Sequence, residues 1–238
     1  MIVIVRRRQL VLAALAVCVL CALYRFGIPA GEPAFAPTVT ESRVFVIDAG
    51  HGGEDGGAVA ADGTVESGVN LAVALRLDAL LRFFGEDTLL TRTDERAIYS
   101  DDAQTLRQKK VSDLQNRVAL VNAQENALLV SIHQNSLPTN ARVHGAQVFY
   151  GRQQGSDALA HSVQAQLNAA VNGENAKTEK AMDEAIYLIK NVTCPSILIE
   201  CGFLSNPAET ALLQTPAHQL MLAAAIAAGL LQQEGETL

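Results

Sequence analysis

The sequence predicts an α/β fold, a mostly parallel sheet with helices on both faces. The first observation is a set of short, unbroken apolar runs, RVFVID (43–48), ALLVSIH (127–133) and SILIEC (196–201). Strands that read as continuous instead of alternating are buried on both faces, as in parallel sheets. The second is that longer stretches with apolar residues at helical spacing separate these runs. The third is composition: 49% of the 238 residues are hydrophobic and 18% are charged, enough for a core and incompatible with a disordered chain.

The elements follow in order. Arg6, Arg7 and Arg8 precede an uncharged apolar run over 10–24, and Arg25 closes it. This is the pattern of a signal peptide or signal anchor, assigned to 1–26, with the arginines held on the cytoplasmic side. Residues 27–40 contain Pro29, Pro33 and Pro37 and read as a linker. Ala34-Phe35-Ala36 resembles a cleavage site but lies far from the apolar run, which favours an uncleaved anchor. The domain proper is 41–238.

Within it, 43–48 is the first strand, ended by Ala49-Gly50-His51-Gly52-Gly53. Residues 69–84 are apolar at helical spacing. DTLLTR (87–92) is a second strand, and 93–110 a polar loop with charges of both signs. Ser112 is expected to cap a helix reaching about 126. Strands at 127–133 and 145–150, a helix at 154–170, a short strand at 185–189, a strand at 196–201 and helices at 206–213 and 217–233 complete the chain.

Charge and cysteine usage narrow the function. Lys+Arg total 18 against Asp+Glu 25, a net of −7, and tryptophan is absent. A nucleic-acid partner is therefore not expected. Cys18 and Cys21 fall in the apolar run. Cys194 and Cys201 are an odd number of residues apart, on opposite faces of a strand, so a disulfide between them is not expected. His144, His161 and His218 read as loop or helix-surface residues, and Arg107, Lys109 and Lys110 as a solvated loop more than a binding patch.

Chemistry collects at one sheet edge. His51 follows the first strand, His133 ends the third and Glu200 lies near the end of the last. In a parallel sheet these C-terminal ends share an edge, where ligands bind. Glu66, at the entrance to the helix over 69–84, reaches the same edge. Two imidazoles and a carboxylate suit Zn²⁺ with a fourth position left for water, and a further carboxylate can take that water's proton. Gly50, Gly52 and Gly53 would allow close approach to His51. Asp48 either supports His51 by accepting its second N–H or forms a local turn.

Several ordered strings resemble one family, the zinc-dependent N-acetylmuramoyl-L-alanine amidases of bacterial cell walls. They are IDAGHGGEDGGA, GTVESGVNLAVAL, LLTRTDE, SDLQNRVALVN, LLVSIHQNS and CPSILIECGFLSNPAE, spread over about 43–232. The resemblance implies a six-stranded sheet and hydrolysis of the amide between the lactyl group of N-acetylmuramic acid and L-alanine in peptidoglycan. By position it implies that His51, Glu66 and His133 bind Zn²⁺ and that Glu200 is the general base and acid. Gln134, where a small residue is usual, and Cys201 depart from the family pattern and bear on substrate fit or zinc access. The segment TLRQKKVSDLQNRVALVN is most similar to the germination-specific spore-cortex amidases, which implies a cortex substrate and a first step toward muramic δ-lactam. The alternatives are a general wall or division amidase, an inactive wall-binding regulator on the same fold, and a zinc peptidase cutting within the stem. Membrane association through the N-terminal segment and an extracytoplasmic location are expected; the sequence leaves an activating protein partner open.

Overall fold

A computed structural model of the chain describes residues 43–182 and 186–235, which belong to a compact unit spanning Glu41–Leu238. The segment 1–26 and the linker 27–40 lie outside the described residues. The elements run β1 (Val44–Ala49), α1 (Glu66–Phe83), β2 (Asp87–Leu90), α2 (Leu106–Asn122), β3 (Ala127–Asn135) and β4 (Gln147–Tyr150). They continue with α3 (Ser156–Leu167) and a π-helical turn (Asn168–Asn172), then β5 (Lys180–Ala181), α4 (Tyr187–Asn191), β6 (Ser196–Phe203), α5 (Pro207–Leu213) and α6 (Pro216–Gly235).

The strands form one six-stranded sheet in the order β2-β1-β3-β6-β4-β5. Every pairing is parallel except β4 with β6. Both faces are covered, which is why β1, β3 and β6 are apolar without alternation. On one face Phe45, Ile47, Val130 and Ile199 pack against Leu77 and Leu81 of α1, Val163 of α3 and Ile226 of α6. On the other, Val46, Leu129 and Leu198 pack against Val121 of α2 and Leu188 of α4.

Helices α3 and α6 approach closely at Gly229. A Cβ there would stand 2.5 Å from the Cα of Val163, and the Ser162 hydroxyl donates to the Gly229 carbonyl at 2.8 Å. No single helix among the described residues is long and apolar enough to cross a membrane.

Two expectations are corrected. Helix α2 begins at Leu106, not near Ser112. Thr105 caps it, accepting from the Gln108 backbone N–H while the Gln108 side chain accepts in return from Thr105 N; Ser112 instead accepts from Ser100 N at 2.9 Å. The strand expected at 185–189 is not formed over its described residues, 186–189: Tyr187–Asn191 is the helical turn α4, and the edge strand β5 lies earlier, at Lys180–Ala181. Leu188 and Ile189 are buried by packing onto the sheet, so their apolar pairing reflects burial and not strand pairing.

Candidate metal centre

The face of the sheet beneath α2 changes character along the strands. Its N-terminal half is apolar, with Val46, Leu129 and Leu198. Toward the C-terminal edge the cross-strand pairs become Asp48 with Ser131, then His133 with Glu200. Parallel register thus places His133 and Glu200 side by side. Just past β1 the chain turns sharply, with His51 at φ 62°, a conformation uncommon for a residue with a Cβ.

Buried charge holds that turn. Arg117 of α2, 1% exposed, donates to the Ala49 and His51 carbonyls, both at 2.8 Å. Arg92 donates to Ala49 O at 2.9 Å and to Gly50 O at 3.1 Å. Arg117 is neutralised by Asp48 at 2.6 Å and Asp113 at 2.8 Å. Asp48 also accepts from Ser131 at 2.6 Å and Thr91 at 2.9 Å. Burial alone would raise the Asp48 carboxyl, but the Arg117 charge and these bonds hold it below its ordinary range. Asp48 therefore supports His51 through the backbone, by way of Arg117. The carboxylate at the imidazole is Asp55, whose Oδ2 lies 3.1 Å from His51 Nδ1; Asp55 and the two arginines fall within the family strings, but no role is assigned to them there.

The opposite side of the imidazole meets Glu66. Glu66 opens α1 and is 3% exposed. Its Oε1 lies 3.3 Å from His51 Nε2 and 3.1 Å from His133 Nδ1. It also accepts from Gln134 N at 3.1 Å, while Oε2 accepts from Ala58 N at 2.8 Å. Burial works to raise the Glu66 carboxyl; the two imidazoles outweigh it and hold it far below the usual carboxylate range. Burial likewise works to lower His51, and its bonds to Glu66 and Asp55 reverse the sign.

The three sequence-derived ligand candidates thus converge: among the described residues, donor atoms of His51, Glu66 and His133 all lie within 4.8 Å of one another. Glycines make room for them. A Cβ on Gly50 would strike the His133 ring, and one on Gly57 would strike the Glu66 carboxylate. Of the glycines singled out beside His51, Gly50 has this role; Gly57 lay outside the expectation. Two imidazoles and a carboxylate so spaced can hold a divalent metal.

Glu200 stands beside the triad and outside it. Its Oε2 is buried without a hydrogen-bond partner. Burial lifts its carboxyl to about 7, the Glu66 charge adding to the rise and the two histidines opposing it. The two departures from the family pattern differ in place: Gln134 borders the site, where its backbone N–H bonds Glu66, and Cys201 lies away from it. The Gln134 side chain is buried and donates to Asn70 Oδ1 of α1 at 3.2 Å. Cys201 points to the opposite face and joins the core there, 1% exposed. Both Cys194 and Cys201 are free thiols. His144 and His161 are exposed, and His218 is half-buried on α6.

The site opens into a cleft of about 490 Å³ bordered by Lys110, Leu114, Ser136, Ile186 and Tyr187, with His51, His133 and Glu200 at its floor. A mostly parallel α/β sheet with a His-Glu-His donor set at its ligand edge, next to a carboxylate poised near neutrality, is the layout of a hydrolase that activates water. The family model for N-acetylmuramoyl-L-alanine amidases matches residues 45–232, and the chain belongs to that family.

Among curated relatives, the germination-specific N-acetylmuramoyl-L-alanine amidase of Bacillus subtilis is 37% identical over 80% of this chain and 79% of its own length. Among solved structures, the CwlD amidase of Clostridioides difficile, in complex with the GerS lipoprotein, aligns with a TM-score of 0.78 at 37% identity, covering 83% of this chain and 100% of that one. An N-acetylmuramoyl-L-alanine amidase from Clostridium difficile 630 aligns with a TM-score of 0.72 at 27% identity, covering 83% and 99%.

Proposed function

We propose that this chain is a zinc-dependent amidase that cuts the lactyl–L-alanine amide of spore-cortex peptidoglycan, the step preceding muramic δ-lactam. The observation that carries the reading is the meeting of His51, Glu66 and His133 within 4.8 Å beside the unpartnered, buried Glu200. In this reading His51, Glu66 and His133 hold Zn²⁺. The ion supplies Lewis acidity toward the amide carbonyl and lowers the pKa of water. Asp55 Oδ2, 3.1 Å from His51 Nδ1, holds the ring so that Nε2 is the nitrogen that would be left for the metal. Glu200 accepts the proton of the attacking water and delivers it to the departing L-alanine nitrogen.

The cortex assignment is supported by the identity to the germination-specific relative. The CwlD relative was solved with a lipoprotein, and a protein partner is part of the proposal here. The domain is placed outside the cytoplasmic membrane, where peptidoglycan lies, joined to the apolar segment 1–26 by the linker 27–40.

The experiment is product analysis on purified cortex and vegetative peptidoglycan, together with metal analysis. Release of L-alanine amino termini and one zinc per chain are expected. His51→Ala with His133→Ala should abolish zinc uptake. Glu200→Gln should keep zinc and lose about 10²–10⁴-fold in turnover. Cleavage between stem amino acids would replace the amidase reading with a peptidase, and loss of zinc in Glu200→Gln would exchange the roles of Glu66 and Glu200.

A further inference from the structure

We propose that Lys110 is a specificity-determining residue that reads the first free carboxylate of the stem peptide, the α-carboxyl of the glutamate following L-alanine. The inference rests on the amidase reading. Of the basic residues lining the cleft, His51 and His133 are committed to the metal set. Arg117 is 1% exposed, with its guanidinium spent on Asp48, Asp113 and two carbonyls. Lys110 alone among them is open, its side chain 53% exposed.

Lys110 is nonetheless positioned. Its ammonium lies 3.0 Å from Asp55 Oδ2, the oxygen that also lies 3.1 Å from His51 Nδ1. An ammonium carries three N–H donors, so two remain for a ligand. The neighbouring Lys109 is paired with Glu54 and stacks over Tyr99, 4.9 Å from the ring centroid. It is not among the residues lining the cleft.

Lys110 stands two hydrogen bonds beyond the His51 imidazole. The carboxylate of the second stem residue lies about two residue lengths, roughly 7 Å, from the scissile amide. Ile186 and Tyr187, elsewhere on the same rim, bring no charge, and among the described residues that line the cleft Lys110 is the exposed cation. A substrate carboxylate arriving there joins Asp55 on one ammonium, and an amide in its position forfeits the charged bond.

The test uses the zinc-loaded full chain and glycan-linked tetrapeptide fragments carrying either a free or an amidated glutamate α-carboxyl. Dissociation constants are measured by calorimetry in the Glu200→Gln background, and products by mass spectrometry with Glu200 present. The free acid is expected to bind about tenfold tighter, the size of one charge-assisted hydrogen bond. That ratio should collapse to about one in Lys110→Gln and be restored in Lys110→Arg. Equal binding of acid and amide, or a preference that survives Lys110→Gln, overturns the inference. So does loss of zinc in Lys110→Gln, which would make the residue a support for Asp55 and His51. A binding preference that behaves as stated without lactyl–alanine cleavage keeps Lys110 and overturns the amidase reading instead.

Discussion

Glu200 makes the fold's electrostatic design measurable without a substrate. Its carboxyl is raised by burial from 4.5 to about 7. Between those values the unfolded chain has lost the proton and the folded chain retains it, so stability falls as pH rises through that window. Metal-free Glu200→Gln should therefore match the unsubstituted protein near pH 4.5 and exceed it by roughly 3 kcal/mol above pH 7. Urea unfolding at both pH values measures this; parallel curves across the range would mean that Glu200 is solvated. The residues that could carry metal chemistry, each a weak signal alone, were legible as a set: strand ends and a helix start converge on one edge, and the ordered family strings place His51, Glu66, His133 and Glu200 there. Asp55, Arg92 and Arg117 fall inside the same strings, but their roles were not legible. Arg117 gathers Asp48 from 69 positions away and Asp113 from a neighbouring helical turn, and a charge that is buried in three dimensions looks like any surface charge along the sequence.

At the scale of elements, the expected strands β1, β2, β3, β4 and β6 are present because unbroken branched apolar runs have few other uses. The start of α2 was misplaced because its capping box, Thr105 with Gln108, lies within a charged stretch that reads as loop. Two substitutions test how elements hold one another. Arg117→Leu would leave Asp48, 1% exposed, without its cation where β1 meets α2. Loss of one partner of a buried pair costs about 3–5 kcal/mol, and chemical denaturation should register it together with weakened zinc binding. Gly229→Ala probes the opposite face. Its methyl would meet Val163 backbone, which cannot swing aside, so α3 and α6 must separate, at about 1–3 kcal/mol. A neutral or stabilising result would mean that this helix contact is loose.

For the whole molecule, the division at Glu41 sets the topological expectation. Arg6, Arg7 and Arg8 should keep the amino terminus inside, leaving the catalytic unit outside. Protease added to intact protoplasts should digest that unit, and neutralising the three arginines should scramble its orientation. Protection in intact cells that disappears on lysis would contradict the arrangement, unless an internal membrane encloses the protein. A second molecular property follows from how the sheet ends. Its flanking strands are β2, of four residues, and β5, of two, so the long apolar strands β3 and β6 are confined to the interior. Exposed strand margins are where chains recruit one another into ordered aggregates. With margins this brief, many copies crowded along a single surface would present almost no backbone for a neighbour to extend.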